Sequence, residues 1–483
     1  MSDDRTTAWP EPVAPPEPAY PHPEPYTPNF LRRIRRGLYS WFGLLNEWDF
    51  RIPVGALRFM GLNLLLVNDP AAVRQVMVSA VEAFPKHPYT LWILEPLIGR
   101  AIFSVNGAEW AQQRRLVDQA FQVAQLQRVL PQMEGAVEAS LARLQAQLQA
   151  AQAAGCPEEG HPIDADAEMT LVTADVIVRT ILSRPLEGEE AEAIFAAFAR
   201  YQKRAGRALM LRFLRLSRRR LQGYLATHAA PIRAWIAEAI DARLADPDAT
   251  ADDLLGALQA ARDPDTGEGF SRDALVDQVC FLFLAGHETS ASSLGMAVYL
   301  LGRFPEVQQR LRAEVLQVLG SRAGAPDRPL GFEELRQLSY GAAVFNETLR
   351  LYPPVSFFIR ESQADTELAG SRCPMRALVT LSPWVIQRHE QHWSEPNAFR
   401  PERFLSDASG EDRRWARDAF LPYGLGPRKC PGAAFAQQEA LLVLAELVRR
   451  FEVLPDPEHE PELVARLTLR SRNGIRVRLR PAG

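Results

Sequence analysis

The chain has 483 residues, of which 47% are hydrophobic and 24% charged, a composition that allows a large packed core and excludes global disorder. A net charge of −4 provides no overall basic field, so nucleic acid is excluded as an expected partner. Four scattered cysteines are too few for a disulfide framework, and we therefore expect a cytoplasmic protein.

The first 28 residues are rich in proline and contain nine of them. Because proline lacks a backbone donor and favours extended chain, we predict a flexible leader over residues 1–28 and a single domain over residues 29–483. The leader shows no apolar stretch followed by a small-residue cleavage site, and no later run reaches the roughly 20 apolar residues of a membrane span. We therefore expect neither secretion nor a transmembrane anchor.

The next stretch, FLRRIRRGLYSWFGLL, mixes arginines with large apolar residues. This pattern is typical of a first helix that packs its apolar side on the domain, and also of a helix that lies on a membrane surface. We favour packing and keep peripheral membrane contact as the alternative. The basic segment 199–224 is interpreted as a solvated helix face, with attraction of a carboxylate or an anionic membrane as its alternative.

Hydrophobic periodicity predicts the main elements in chain order. Residues 52–67 are rich in Val, Leu and Phe and are broken by glycines, as in a β-hairpin. Residues 70–320 repeat apolar positions every three or four residues, which predicts helices. The segment 271–303 would form a buried helix about 50 Å long. Strand-like segments return later, so we predict a mainly α protein with small β-sheets assembled from both ends of the chain, the later strands being 355–360, 377–382 and 464–480.

The long apolar segment is interrupted by Ala285-Gly286-His287-Glu288-Thr289-Ser290. Small residues at Ala285 and Gly286 would let a flat ligand approach the helix, and Glu288 and Thr289 could pass protons to a reacting group. Alternatively, Thr289 bonds back to a carbonyl and bends the helix. The two interpretations are compatible, because such a bend would create a pocket.

A second motif, Pro422-Tyr-Gly-Leu-Gly-Pro-Arg-Lys-Cys430-Pro-Gly432, immediately precedes a helical pattern. A helix start and the neighbouring Arg428 and Lys429 would favour an ionised sulfur at Cys430. Such a thiolate on a glycine turn can serve as an axial haem ligand. The alternatives are a structural cysteine in a buried turn and a phosphate loop, although the third glycine of a dinucleotide site is missing.

This loop resembles the cysteine motif of the cytochrome P-450 superfamily, Phe-x-x-Gly-x-Arg-x-Cys-x-Gly, with Tyr423 in place of phenylalanine. The interruption of the long helix resembles the oxygen-binding motif of the same family. By this resemblance Cys430 ligates the iron of haem b, Thr289 is the alcohol of the oxygen pocket and Glu288 the neighbouring acid of the proton relay. The resemblance implies a fold with haem between the long helix and the cysteine loop. The residues that it assigns to cofactor binding are Trp110, Arg114, Ala285, Gly286, Arg360, Tyr423, Arg428, Cys430 and Gly432.

Glu347-Thr-Leu-Arg350 is similar to the Glu-x-x-Arg motif of the family, and Pro401-Glu-Arg403-Phe resembles its partner segment. The resemblance implies a buried charge network of Glu347, Arg350 and Arg403. The stretch that follows Glu347 and an insertion near 320–333 are similar to the fatty-acid-oxidising, eukaryote-like branch.

The implied activity is a monooxygenase, an oxidoreductase that activates dioxygen and hydroxylates or epoxidises an apolar molecule such as a fatty acid, terpenoid or steroid. The chain has no dinucleotide fingerprint, so its electrons should come from a ferredoxin and its reductase, a flavodoxin or a diflavin reductase. Arg114, Arg115, Arg428 and Lys429 could form a basic docking face, unless propionates consume it. We expect a monomer whose substrate pocket is lined by Phe281, Leu284, Val355, Phe357 and Phe358. A peroxide-using peroxygenase and a non-catalytic haem sensor are the alternatives.

Overall fold

The computed structural model describes residues 17–26, 30–37, 39–59, 61–87, 91–153, 160–186, 188–213, 216–245, 252–320 and 329–482. The α-helices in chain order are α1 Phe30–Gly37, α2 Pro70–Arg74, α3 Glu95–Ile98, α4 Gly107–Ala120, α5 Val123–Arg128, α6 Leu130–Ala153, α7 Ala165–Leu182, α8 Gly188–Phe213, α9 Arg218–Ala245, α10 Leu254–Ala260, α11 Arg272–Arg303, α12 Pro305–Leu319, α13 Phe332–Leu335, α14 Ser339–Leu351, α15 Pro383–Ile386, α16 Gly410–Asp418 and α17 Ala433–Arg450. The predicted mainly helical class is confirmed.

The strands form small sheets. They are β1 Val54–Phe59, β2 Leu62–Val67, β3 His161–Asp164, β4 Phe358–Glu361, β5 Thr366–Leu368, β6 Ser371–Cys373, β7 Leu378–Leu381, β8 Phe451–Pro455, β9 Leu463–Ala465, β10 Leu469–Ser471 and β11 Arg476–Pro481. The largest sheet has the order β1-β2-β7-β4, in which β2 and β7 run parallel. This sheet confirms the prediction that early and late segments of the chain pair.

The long helix α11 is the central element of the core. Ser271 caps its start, where the Ser271 hydroxyl accepts a hydrogen bond from the Ala274 amide at 3.3 Å, and Pro305 begins the next helix after Phe304. The helix is buried on nearly every side and packs most extensively against α7. Its observed bounds agree with the predicted 271–303.

Residues 17–26 pack against the domain, which corrects the prediction of a flexible leader for this part of residues 1–28. The Ala19 amide donates to the Tyr299 hydroxyl at 3.0 Å, and the Tyr352 hydroxyl donates to the Ala19 carbonyl at 2.8 Å. The ring of Tyr20 stacks on Trp384 with 5.9 Å between ring centroids. The rest of the leader, residues 1–16, 27 and 28, lies outside the described residues.

The two basic segments are described in part. In α1, Arg36 pairs with Glu24 and Arg33 donates to the Leu44 carbonyl at 2.5 Å. In α9, Arg218 pairs with Glu95 at 3.0 Å. The side chains of Leu31, Ile34, Arg212 and Arg215 lie outside the described residues, as do positions 321–328 of the predicted insertion. Within the described ranges, no helix combines the length and apolar character needed to cross a bilayer.

Candidate active site

Cys430 lies on a turn between a 3-10 turn, Gly426–Arg428, and helix α17. Its amide donates to the Tyr423 carbonyl at 2.9 Å, which closes the loop. Gly426 has a positive φ of 66°, and a β-carbon there would lie 2.2 Å from the Met77 carbonyl oxygen. The glycine is therefore required because the backbone at Met77 approaches it.

The environment of the Cys430 sulfur differs from the expectation. The helix begins at Ala433, after an N-cap at Gly432, so its dipole starts further from the sulfur than predicted. The Cys430 side chain has accessible surface, but most of its surroundings are protein atoms rather than water. This desolvation raises the pKa of the thiol. The Gly432 amide, Arg114 and Lys429 lower the pKa, but by less than desolvation raises it. The protein alone does not favour a thiolate. A coordinated metal ion would supply the missing positive charge, because a coordinating thiol is deprotonated outright.

Three cationic side chains converge beside the cysteine loop. Lys86 forms a backbone bridge with Arg360 in β4, and Arg428 lies over the ring of Trp110, with its guanidinium carbon 4.5 Å from the centroid. Arg360 is 8% exposed, and the Nε atoms of Arg360 and Arg428 have no hydrogen-bond partner among the described residues. Burial and the neighbouring Arg428 lower the pKa of Arg360 to about 10. Burial and Arg428 also lower the pKa of Lys86 well below its usual value.

Arg360 is buried and Lys86 and Arg428 are half-buried, and none of the three pairs with an acid among the described residues. Neighbouring cations that are shielded from water in this way are costly unless a ligand supplies negative charge. The cluster of Lys86, Arg360 and Arg428 therefore fits a ligand with carboxylates, such as the two propionates of haem. The two arginines were predicted from the sequence, whereas Lys86 and its neighbour Asn106 were not. The Asn106 side-chain oxygen accepts a hydrogen bond of 2.9 Å from Arg428. Neither missed residue belongs to a recognisable motif, and only tertiary structure brings them to Arg428.

Arg114 in α4 has a second role beside its predicted contact with the cofactor. It donates to the Lys429 carbonyl and to Asp118, the latter at 2.8 Å, so it ties α4 to the cysteine loop. The prediction that Arg115 contributes to an open basic face is wrong, because Arg115 pairs with Asp263 at 2.8 Å and with Asp265 at 3.1 Å. The basic patch is smaller than expected, and Lys429 is its exposed member next to Cys430.

Between Gln278 and Gly302, the part-exposed positions of α11 are Phe281, Ala285, Gly286 and Thr289, and the other positions are buried. The Thr289 hydroxyl donates to the Ala285 carbonyl at 2.7 Å, as the helix-bending interpretation predicts. A β-carbon at Gly286 would lie 2.8 Å from Cδ1 of Ile177 in α7. The missing side chain at Gly286 therefore serves the packing of two helices, and the predicted reason, approach of a flat ligand, is corrected for this residue.

Glu288 points away from Thr289 and toward the hairpin of β9 and β10. Its carboxylate is 3.0 Å from Arg470 and accepts a hydrogen bond of 3.0 Å from the Thr468 hydroxyl. Burial raises the pKa of this carboxyl, but Arg470 and then His287 outweigh burial, and the pKa is lowered overall. No hydrogen bond between Glu288 and Thr289 is found in the described structure. His287 is buried, and its Nδ1 donates to the Phe283 carbonyl at 2.8 Å.

The predicted charge network is present. Glu347 and Arg350 are fully buried and joined by two hydrogen bonds of 2.7 Å, and Arg403 lies 3.4 Å from Glu347. Arg350 also donates to three backbone carbonyls of the segment that precedes Arg403. Asp412 of α16, which the sequence analysis missed, pairs with Arg403 at 3.0 Å. The network fastens α14 to the segment that leads to the cysteine loop.

The residues predicted to line the substrate pocket fall into two groups, one on α11 and one at the start of β4. Phe281 is half-buried and stacks on Phe103 with 5.5 Å between centroids, whereas Leu284 is buried in the core. Val355, Phe357 and Phe358 are half-buried where the chain enters β4. The rings of Phe357 and Trp41 pack together with 5.3 Å between their centroids. Phe103 lies in the stretch 88–105, parts of which were also predicted to line the pocket, whereas Leu467, at the exposed tip of the β9–β10 hairpin, was not among the predicted residues.

Comparison with known proteins agrees with this geometry. The family model described as "Cytochrome P450" matches residues 49–477. Cyclooctatin synthase of Streptomyces melanosporofaciens is 33% identical over 394 residues, 80% of each protein, and pentalenene oxygenase of Streptomyces avermitilis is 30% identical over 413 residues, 85% of this chain and 86% of that protein. Cytochrome P450 CYP749A22 of Panax ginseng is 28% identical over 465 residues, 94% of this chain and 83% of that protein.

The fold is also shared with solved structures. The crystal structure of the cytochrome P450DA heme domain superposes with a TM-score of 0.76 at 22% identity, covering 89% of this chain and 90% of that one. The cysteine loop, the interrupted helix and the buried Glu-Arg-Arg network lie within the matched residues. The chain belongs to the cytochrome P450 family and is a monooxygenase of that family, for which the family implies a haem cofactor.

Proposed function

We propose that the chain holds haem b through the Cys430 sulfur and inserts one atom of dioxygen into an apolar terpenoid substrate. The overall reaction would be R–H + O₂ + 2 e⁻ + 2 H⁺ → R–OH + H₂O, with both electrons from a separate protein. The observation that carries this proposal is the cation cluster of buried Arg360 and half-buried Lys86 and Arg428, which pairs with no acid among the described residues and lies beside an accessible Cys430.

The side chains divide the work between them. Haem, when bound, supplies the binding and reductive activation of dioxygen. The Cys430 sulfur would ligate the iron and donate electron density to it, and Lys86, Arg360 and Arg428 would hold the propionates. Thr289 holds a proton at Oγ1 on the open side of α11, and Glu288 one residue earlier can restore that proton.

The terpenoid class rests on relatives and on the pocket wall. Two similar bacterial proteins are named pentalenene oxygenase and cyclooctat-9-en-7-ol 5-monooxygenase. The exposed ring of Phe103 and the half-buried rings of Phe281 and Phe357 offer apolar surface to a hydrocarbon, and no charged side chain is among the residues predicted to line the pocket. For the electron donor, a ferredoxin with its reductase, a flavodoxin or a diflavin reductase, the exposed Lys429 provides a positive contact beside Cys430.

The first test is the visible difference spectrum of dithionite-reduced protein with and without carbon monoxide. We expect the long-wavelength Soret band of thiolate-ligated ferrous haem, and we expect Cys430→Ser to lose that band while Cys373→Ser, a buried cysteine in β6, retains it. A blue-shifted band in the wild-type protein would contradict thiolate ligation. Pentalenene and a saturated fatty acid, added to the ferric protein, then compare substrate classes, and a spectral shift with the fatty acid alone would overturn the terpenoid assignment.

A further inference from the structure

Arg470 joins three parts of the molecule at one point. It lies in β10, and its guanidinium contacts Glu288 of α11 at 3.0 Å and Asp166 of α7 at 2.9 Å. The side chain is 21% exposed, and the Asp166 side chain 24%, so the network reaches solvent at its Asp166 end. Glu288 lies at the buried end.

The hairpin of β9 and β10 is hydrogen-bonded to α11 at Glu288 and one turn further along the helix. Besides Arg470, the Thr468 hydroxyl donates to the Glu288 carboxylate, and the Ser292 hydroxyl donates to the Leu469 carbonyl at 2.6 Å. The Leu469 amide donates to the Pro354 carbonyl at 2.8 Å, directly before Val355 of the predicted pocket. The tip of the same hairpin exposes Leu467, which is 48% accessible. The hairpin is therefore continuous with the pocket wall.

The charges in this network do not balance. One guanidinium is shared by two carboxylates, and the nearby His287 is kept neutral because burial lowers its pKa. If Glu288 leaves Arg470, the guanidinium keeps Asp166 as its partner, so no buried cation is stranded. Breaking a buried ion pair is costly mainly because it leaves an uncompensated charge. Glu288 can therefore turn from the hairpin toward the open side of α11 at a smaller cost than an isolated pair would impose.

We propose that Arg470 is a positioning residue that holds the Glu288 carboxylate on the β9–β10 hairpin and couples the position of that hairpin to proton transfer by Glu288. A substrate that displaces the hairpin loosens the contacts of Arg470 and Thr468 with Glu288 and frees the carboxylate to serve Thr289. This inference rests on the proposed monooxygenase function. The polar and charged groups that face Glu288 are Arg470 and Thr468 of the hairpin, His287 of α11, Asp166 of α7 and Gln202 of α8.

The test compares Arg470→Met and Arg470→Lys with a matched control, Arg472→Met, which removes an exposed ion pair with Glu462 from the same hairpin. Amide hydrogen exchange of residues 463–471 is measured in the haem-loaded protein. We expect exchange about tenfold faster in Arg470→Met, a factor that corresponds to the loss of roughly one stabilising contact, and little change in Arg472→Met. Arg470→Lys should restore most of the protection because it keeps the positive charge.

The second readout is the fraction of consumed electrons that appears in product, followed from pH 5 to 9 with a ferredoxin and ferredoxin reductase as donors. Without Arg470, the largest effect that opposes burial is lost and the pKa of Glu288 rises, so the pH dependence of this fraction should shift upward in Arg470→Met and less in Arg470→Lys. A purely structural role would change protein stability without moving the pH profile.

Equal exchange rates and equal pH profiles in Arg470→Met and Arg472→Met would overturn the proposal. Where Arg470→Met does not fold, Thr468→Val removes one tie of the hairpin and leaves the ion pair, and unchanged exchange and coupling in that variant would count against it. The two proposals can fail separately. If the protein forms no product with any donor, the proposed function and the coupling to proton transfer are refuted. If exchange is still faster in Arg470→Met, the anchoring of the hairpin by Arg470 stands.

Discussion

Ser290 donates a hydrogen bond of 2.5 Å to Glu439, a fully enclosed acid on the helix that follows the cysteine loop. The contact joins α11 to α17, the helix that begins three residues after Cys430. Because burial raises the pKa of Glu439 to about 8, against a smaller lowering by Ser290, this acid is protonated in the folded protein at neutral pH.

A raised carboxyl pKa predicts that folding stability falls as pH rises from about 4.5 to about 8, since the folded state binds a proton that the unfolded state has released. Glu439→Gln should remove this pH dependence. Across that pH range, the free energy of unfolding of wild type should fall by roughly 3–5 kcal/mol relative to that of the variant. Thermal unfolding of the holoprotein at several pH values measures the difference. Glu458→Gln, an exposed control, should follow wild type, and parallel curves for Glu439→Gln and wild type would contradict protonation of Glu439.

The position of Tyr423 departs from the family motif, and its hydroxyl has no hydrogen-bond partner among the described residues. An unsatisfied buried hydroxyl costs about 1–3 kcal/mol, so Tyr423→Phe should raise the free energy of unfolding by about 1 kcal/mol and retain haem. The matched control is Tyr201→Phe, which should be destabilising because the Tyr201 hydroxyl donates to the Ile93 carbonyl at 2.7 Å. Loss of stability in both variants would show that the Tyr423 hydroxyl has a partner in solution.

Contiguous motifs carried most of what the sequence could predict. Cys430, the Glu288-Thr289 pair and the Glu347-Arg350 pair were found because local spacing alone marks them. The long helix was found because apolar residues recur at helical spacing along 271–303 and lie on nearly every side of its middle. Lys86 and Arg470 could not be found in this way. Each meets its partners only through tertiary structure. Lys86 reaches Arg360 through a backbone bridge, and Arg470 lies on a hairpin beside α11.

Glycines and prolines misled the prediction for a related reason. The flexibility assigned to residues 17–26 followed from their composition, yet Ala19 is held by two tyrosines that are 280 and 333 positions distant in the chain. Gly286 was assigned to a ligand, whereas its space is taken by Ile177. In both cases a distant side chain, invisible to local pattern, decides the role of the residue.

The buried network of Glu347, Arg350 and Arg403 predicts a sharp loss on substitution. Glu347→Ala would leave two buried guanidinium groups without their shared carboxylate, at a cost of roughly 3–5 kcal/mol, so we expect little soluble, haem-loaded protein. Glu402→Ala, which removes a half-exposed pair with Arg310, is the control and should have little effect. Yields of folded protein and the haem-to-protein absorbance ratio provide the measurement. Full haem content in Glu347→Ala would contradict the structural role.

Arg360 allows the haem site to be tested with and without the cofactor. In the apoprotein its buried guanidinium opposes Lys86 and Arg428, so Arg360→Met should raise the melting temperature. In the haem-loaded protein the same change removes a partner of a propionate, and haem should dissociate about tenfold faster, since a charge-assisted hydrogen bond contributes about 1.5–3 kcal/mol.

Melting of the apoprotein and the rate of haem transfer to an acceptor protein give the two values, with the exposed Arg372→Met as control. Opposite signs in the two states are the signature of a cation whose partner is the cofactor. A variant that is destabilised in both states would instead show that Arg360 is satisfied by the protein, and the assignment of the propionates to this cluster would fail.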